Sequence, residues 1–581
     1  MTLPVETVLS VLQAALEHGN EAILEAPPGA GKTTMVPLSL VDCPWLSGQR
    51  ILMLEPRRLA AKSAAHRMAS LLGESVGETV GYRMRLDTVI GPNTRIEVIT
   101  EGILTRMLRD DPSLENVGLV IFDEFHERSL DADLALSLCL RSRELFRESS
   151  PLKLLVMSAT LDTGGLISLL DDAPVITAQG RQFNVDVHYG RPAKPRESIV
   201  DRVVETTRLA LRSHPQSSIL VFLPGQGEIN RVADALGPLN DAEVYRLFGN
   251  LPFDEQQRAI LPVSGAGLRK VVLATNIAET SLTIEGVDVV VDSGLVREPI
   301  FDPNTAMTRL ETRKISAASS TQRMGRAGRL RPGSCYRLWS KTQQDQLAPH
   351  ATPEILGADL APLALQLIAW GASSPDELRW LDAPPAGAWG QALSLLSKLG
   401  AVREAPGGLT LTIAGTAMAS LPVHPRLGHL LLAGAAIGEG ELASMIASFL
   451  SDRDPIGEAD PDINHRIEIL TGDTPCPPRL GGWKHRTNQL ASQFERQLSA
   501  LKVERRVVGR SSSVATGYLL ACAYPDRIAR RRQSGGFQLA NGRSANFPDA
   551  SRLGKSRWLC VAEVGGGRGK RGDTIRSAAV L

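Results

Sequence analysis

The run Ala26-Pro27-Pro28-Gly29-Ala30-Gly31-Lys32-Thr33-Thr34 constrains this chain more than any other stretch. It follows the apolar Ala22-Ile23-Leu24 and precedes Met35-Val36. That order predicts a strand turning through a Gly-rich loop into a helix, with bare backbone N–H groups converging where a polyphosphate can sit. In such a cradle Lys32 places an ammonium on the β and γ phosphates and Thr33 a hydroxyl on Mg²⁺, with Gly29, Ala30, Gly31 and Thr34 around them. Ala26 stands where this loop usually begins with Gly, so partners elsewhere in the chain must decide the matter.

Those partners follow in order. Residues 50–54 and 117–122 read as buried strands, and 96–100 and 153–157 as two more. Asp123-Glu124-Phe125-His126 closes the second of them, and two carboxylates with an imidazole behind a central strand are costly to bury without work to do. Beside a phosphate loop, Asp123 can hold Mg²⁺ and Glu124 can take a proton from an attacking water. Arg57 and Arg58 follow the 50–54 strand at a helix start, where cations oppose the helix dipole and so point to an anion. Residues 178–195 read as a crossing linker. Beyond them a second strand-rich α/β unit (218–223, 244–247, 270–274, 287–291) has no loop lysine of its own. It carries instead Gln322-Arg323-Met324-Gly325-Arg326-Ala327-Gly328-Arg329, three arginines among small residues that can approach a triphosphate from a facing domain.

At 581 residues the chain exceeds a single core and predicts three to five domains at roughly 100–200 residues each. Six cysteines without a Cys-x-x-Cys pair argue against a zinc ribbon or a disulfide framework. The first residues lack a basic n-region, and there is no long apolar span, so a bacterial cytoplasmic location without membrane contact is expected. Net charge is +1, but residues 501–581 hold 16 Lys or Arg against 5 Asp or Glu, a footprint suited to phosphates.

Taken in order, 26–34, Glu55 to Arg58, Thr100-Glu101-Gly102, Asp123 to His126, Ser158-Ala159-Thr160, 222–228, 275–286 and 322–329 resemble the motifs of the DEAH-box superfamily 2 helicases. With Phe125 where the family name has Ala, and with 523–529 and 539–542 later on, the chain is similar to the bacterial HrpB-type branch. The resemblance implies an NTP-driven helicase that moves 3′ to 5′ along single-stranded RNA, uses ATP or other NTPs with Mg²⁺, parts tailed duplexes and works as a monomer. It implies Lys32, Glu124, Gln322, Arg326 and Arg329 as catalytic residues and Thr33 with Asp123 at the metal. His126, Ser158 and Thr160 would couple the lobes, and Arg57, Arg58, Thr100 and Thr275 would contact RNA. Arg67 would stack on the base, with Ile260 in place of the usual aromatic partner, and Glu285 would stand near the ribose. Alternatives are an NTPase that remodels RNA–protein complexes or acts on DNA, and a non-catalytic RNA-binding scaffold.

The expected fold is two tandem α/β RecA-like P-loop domains (1–178 and 179–345), a winged helix (346–424), a helical bundle (425–518) and the start of an OB-like β domain (519–581), cut short relative to its relatives. Residues 295–315 alternate around Asp302-Pro303-Asn304 and predict a hairpin, which in the family parts the duplex. His424 and His429, lone imidazoles among aliphatic residues, read as packing or surface groups rather than metal ligands.

Overall fold

The computed structural model describes residues 3–27, 29–85, 87–159, 163–180, 183–249, 251–261, 269–279, 284, 286–302, 307–329, 331–451, 454–456, 460–501, 503, 512–533, 535–548, 550–565 and 573–581. The chain divides into two compact units, residues 1–300 with 310–358 and 378–383, and residues 301–309 with 359–377 and 384–581.

The first unit is built on two sheets. One has eight strands in the order Asp87–Val89, Val80–Met84, Ile96–Thr100, Arg50–Glu55, Val117–Phe122, Lys153–Ser158, Glu21–Glu25, Val175–Thr177. All neighbours are parallel except the pair at the Asp87–Val89 edge. Every residue of Val117–Phe122 is buried, and in Arg50–Glu55 all but Arg50 are, as expected of a sheet covered on both faces. Cover comes from flanking helices. Leu9–His18 sinks Leu12 and Leu16 into the core, and Arg58–Leu72 sinks Ala60, Ala61, Ala64, Ala65, Met68 and Ala69 before Gly73 turns left-handed and stops it. Burying each large apolar side chain contributes about 1.5–3 kcal/mol, and this core anchors the loops at the sheet's C-terminal edge.

The second sheet runs Ala242–Leu247, Arg269–Ala274, Ser218–Phe222, Val287–Asp292, Gly333–Arg337, Val185–Tyr189, parallel throughout. Its last strand corrects the reading of 178–195 as a linker. Val185–Tyr189 alternates half-buried with exposed residues, so it can only be an edge strand, and it gains its pairing from Gly333–Arg337, far along the chain. The predicted hairpin is present as the two-stranded sheet Leu295–Asp302 and Met307–Lys314.

In the second unit, helices Ala361–Trp370 and Ala386–Lys398 lead into the antiparallel pair Val402–Ala405 and Gly408–Leu411 and helix Ile413–Ser420, a helix-and-wing order. Helices Pro425–Ile437, Gly440–Leu450, Ile463–Thr471, Gly481–Ala500 and Ser512–Ala523 follow. His424 caps the first of these through Nδ1, which accepts from the Arg426 backbone N–H at 3.2 Å, while its Nε2 meets Asp359. His429 Nδ1 sits 2.7 Å from the Cys522 carbonyl oxygen.

The C-terminal segment is a closed barrel, in order Ile528–Arg531, Phe537–Leu539, Ser544–Asn546, Asp573–Val580, Trp558–Gly565. This barrel is the β domain expected at this end of the chain. Asp573–Val580 pairs with both Ser544–Asn546 and Trp558–Gly565 and closes the sheet. Tyr524 joins barrel to bundle, with the guanidinium carbons of Arg426 and Arg527 at 5.3 and 4.6 Å from its ring centre and Arg426 bonded in a fork to Asp526. Among the described residues no helix is long and apolar enough to cross a membrane.

Candidate active site

The phosphate loop has the backbone that its glycines permit. Gly29 and Gly31 lie at φ +84° and +91°, a region that costs other residues roughly 1–3 kcal/mol. A Cβ on Gly31 would stand 2.8 Å from Leu3 Cδ1, because the N-terminal segment backs the loop and Val5 N–H bonds the Ala30 carbonyl at 3.1 Å. Lys32 opens helix Lys32–Leu40 and is buried, with Nζ 2.8 Å from Glu124 Oε2 and 3.2 Å from Asp123 Oδ1. Burial alone would lower its ammonium, but the two carboxylates outweigh that and hold it above its ordinary value. Thr33 Oγ1 donates to Asp123 Oδ2 at 2.5 Å. A hydroxyl and a carboxylate oxygen brought together are the hard donors that Mg²⁺ takes, so these residues fit that ion.

Glu124 follows directly on strand Val117–Phe122 and its Asp123 but takes a left-handed backbone, φ +50°. The turn carries its carboxylate back to Lys32, and its N–H bonds Asp123 Oδ1 at 2.8 Å. Burial would raise Glu124, but Lys32, His126 and Arg326 pull it down to about 2. While the ammonium is bonded to it, Glu124 is ionised and weakly basic; drawing Lys32 toward phosphate would restore its basicity. The sequence reading gave no role to Glu55, which is fully buried at the end of strand Arg50–Glu55 with neither carboxyl oxygen hydrogen-bonded. Burial, reinforced by Asp123 and Glu124, pushes it well above its ordinary range. The visible signal was a Glu closing the apolar run Ile51 to Leu54.

His126 and Ser158 come together. Ser158 Oγ and the Ala159 N–H lie 3.3 and 3.4 Å from His126 Nδ1. With Nδ1 receiving a backbone N–H, the proton of the neutral ring belongs on Nε2, which is buried without a hydrogen-bond partner. Burial lowers this imidazole despite Glu124 nearby. Thr160 lies outside the described residues.

The arginines divide. Arg329 reaches the phosphate loop, since a Cβ built on Gly29 would be 3.8 Å from its Cζ. Burial brings Arg329 down to about 10, against the pull of Glu124. Arg326 donates to the Glu279 carbonyl and is pushed well below its ordinary value by burial and then by Arg329. Arg326, buried, and Arg329, half-buried, are near enough for the second to disfavour charge on the first, an arrangement that an anion between them would relieve. Gln322 is 8% exposed and its Nε2 has no hydrogen-bond partner, leaving a donor for a ligand or water. Arg323 points elsewhere, into a buried network with Glu279 and Asp292.

Arg58, Thr100 and Thr275 stand at or just past the C-terminal ends of parallel strands, the edge where such sheets take ligands. Arg57 does too, but its guanidinium is already engaged, with Nη1 2.7 Å from the Asn276 carbonyl oxygen and Nη2 3.2 Å from Glu127. It therefore ties the two sheets' loops together. Arg67 is exposed on helix Arg58–Leu72, and Ile260 ends helix Phe253–Ile260, its carbonyl accepting from Lys270 Nζ at 3.1 Å. Glu285 lies outside the described residues.

Glu101, beside Thr100, accepts from Ser129 Oγ at 2.6 Å. Burial, with Asp131, Glu127 and Glu354 adding to it, raises Glu101 to about 8. The folded chain keeps a proton that the unfolded chain loses above about pH 4.5, so this stabilisation fades as pH climbs toward about 8. Glu101→Gln should match the parent's melting temperature near pH 4.5 and exceed it by several degrees above about pH 8, roughly 2–4 °C per kcal/mol. A gap that stayed constant with pH in thermal melts would remove this proton from Glu101.

Two parallel sheets, one with a phosphate loop and an acid pair and the other carrying Arg329 toward that loop, define a two-lobed P-loop nucleotide-handling protein. Comparison with known proteins agrees. The family model "DEAD/DEAH box helicase" matches residues 9–165 and "Helicase conserved C-terminal domain" matches 198–331. The ATP-dependent RNA helicase HrpB of Escherichia coli (strain K12) is 45% identical over 561 residues, covering 96% of this chain and 66% of that protein. This chain therefore spans just under two thirds of that relative's length. Two crystal structures of Escherichia coli HrpB, described as a DExH-box NTPase and a DEAH/RHA helicase, are each 42% identical over the whole of this chain. They superpose with TM-scores of 0.83 and 0.86, with 68% and 70% of those chains covered. The chain belongs to the HrpB family of DEAD/DEAH box helicases.

Proposed function

We propose that this chain is an ATP-driven RNA helicase that hydrolyses nucleotide between its two sheets, steps 3′ to 5′ along single-stranded RNA and parts duplexes at the 295–315 hairpin. The observation that carries the reading is Arg329 standing over Gly29 while Lys32 bridges Asp123 and Glu124. A nucleotide's phosphates would meet cations from both lobes. In this reading Lys32 and the loop N–H groups of Gly29 to Thr34 bind phosphate, and Thr33 and Asp123 hold Mg²⁺, which when bound neutralises charge on the phosphate oxygens. Glu124 accepts the proton of a water that Gln322 orients, and Arg326 and Arg329 stabilise charge developing on the transferred group. His126 with Ser158 and Thr160 relays the change between lobes.

Arg58, Thr100 and Thr275 meet the RNA backbone, so affinity falls with salt and carries little base readout. RNA as substrate is supported by the relative's name; single strands and 3′-tailed duplexes would be bound by a cytoplasmic monomer. In this reading the chain has five domains, 1–178, 179–345, 346–424, 425–518 and 519–581. Arg67 stacking without an aromatic partner at Ile260 would leave ATP and GTP hydrolysed at comparable kcat/KM. The test is phosphate release against single-stranded RNA, single-stranded DNA and 3′-tailed duplexes, with Lys32→Ala as the dead control. At least tenfold stimulation by RNA over DNA is expected; equal stimulation by both would make the substrate class wrong, and none by either would return the chain to a scaffold.

A further inference from the structure

Arg323, in the same short helix as Gln322, is among the most buried cations of the chain, 1% exposed. Its Nε donates to Glu279 Oε2 at 2.9 Å, and its Nη1 donates to Asp292 Oδ1 at 3.0 Å and to the Leu295 carbonyl at 3.2 Å. The face of its guanidinium lies 4.8 Å from the Phe222 ring centre. Each of these partners has a second attachment. The Glu279 carbonyl accepts from Arg326, and Glu279 follows the Asn276–Ala278 turn, whose Asn276 carbonyl accepts from Arg57. Asp292 ends strand Val287–Asp292 and takes the Gly294 N–H at 2.9 Å. Gly294 in turn closes the hairpin's root by accepting from Ile315 N–H, and Val296, Ile315 and Trp339 pack there.

A continuous chain of short polar contacts therefore runs from the Arg326 finger, through both ends of residue 279, across Arg323 and into the root of Leu295–Asp302. Replacing such an ionic triad by apolar side chains would cost little stability in principle, so its presence calls for a reason beyond holding the sheet together. We infer that Arg323 is a positioning residue that couples engagement of Arg326 at the nucleotide to the hairpin. When Arg326 turns from the Glu279 carbonyl toward phosphate, residue 279 is released, and Arg323, held rigidly at three points in close-packed surroundings, passes that displacement to Asp292 and Leu295. The inference rests on the helicase reading above.

The test separates coupling from mere structure by a ratio, base pairs parted per ATP hydrolysed, which does not depend on how much of a preparation is folded. Asp292→Asn keeps shape and an acceptor oxygen but weakens the hairpin end of the link. It should leave RNA-stimulated kcat and the KM for ATP within about twofold and lower the ratio at least fivefold on a 3′-tailed RNA duplex. Arg323→Lys keeps the charge but not the planar fork and should lower the ratio at least as far. Ratios within twofold of the parent for Asp292→Asn would overturn the inference and leave the helicase reading standing, and that variant decides alone if Arg323→Lys does not fold. A parent that hydrolyses ATP on RNA but parts no duplex would overturn both.

Discussion

Glu124→Gln should retain nucleotide and RNA while losing turnover by about 10²–10⁴-fold, the range a positioned general base contributes. The side chain keeps its size and can still accept from Lys32 Nζ, now 2.8 Å from its Oε2, so the phosphate loop has no reason to collapse. What disappears is a carboxylate which the neighbouring cations keep ionised, at about 2, and hence the only proton acceptor the acid pair offers once Asp123 is committed to Thr33 and metal. Removing a negative charge from beside the γ-phosphate should also tighten triphosphate binding. Single-turnover phosphate release and nucleotide affinity measured together check this; release within tenfold of the parent would take Glu124 out of the role of base.

Arg329→Ala should lower kcat by about 10³–10⁵-fold, as for other arginines that supply charge from a facing element. Arg329→Lys should recover little of it, because a point charge cannot present the planar fork. The same substitution should not destabilise the resting protein. Burial depresses Arg329 to about 10, with Glu124 as the carboxylate that opposes the shift, so folding already works against its charge. Arg329→Ala should therefore melt at or above the parent temperature while being catalytically crippled, a split that loss of packing would not produce. Melting several degrees lower, with kcat reduced less than tenfold, would mark Arg329 as a structural residue.

Much of this site is legible in the sequence because its parts are local. Gly29 and Gly31 must turn left-handed, Asp123 and Glu124 end an apolar strand, and each fact can be read within a few residues. The arginines are different. Arg323, Arg326 and Arg329 look alike in sequence, three cations among small residues, yet Arg329 reaches Gly29 while Arg323 is buried against Asp292 and Phe222. Arg323 lies in the helix Ala317–Met324 and the other two in the turns that follow it, and only the packed partners show which of them faces the nucleotide. Glu55 went unassigned for a related reason, since the burial that raises it, with Asp123 and Glu124 adding to it, exists only in the folded sheet. Arg57, read in the sequence as an anion ligand, also meets the Asn276 carbonyl and Glu127, partners that no local pattern announces.

The sequence by itself determined which segments become strands and helices and which side chains can carry phosphate chemistry, because alternation, turn residues and charged groups after apolar runs act over short distances. The tertiary structure decided which segments that are not neighbours in sequence come together. Strand Val185–Tyr189 joins the second sheet through Gly333–Arg337, Asp573–Val580 closes the barrel, and Arg329 stands over a loop 300 residues earlier in the chain. Such contacts depend on the burial free energy of whole faces, and on proton affinities that burial sets. Neither exists until the chain has folded.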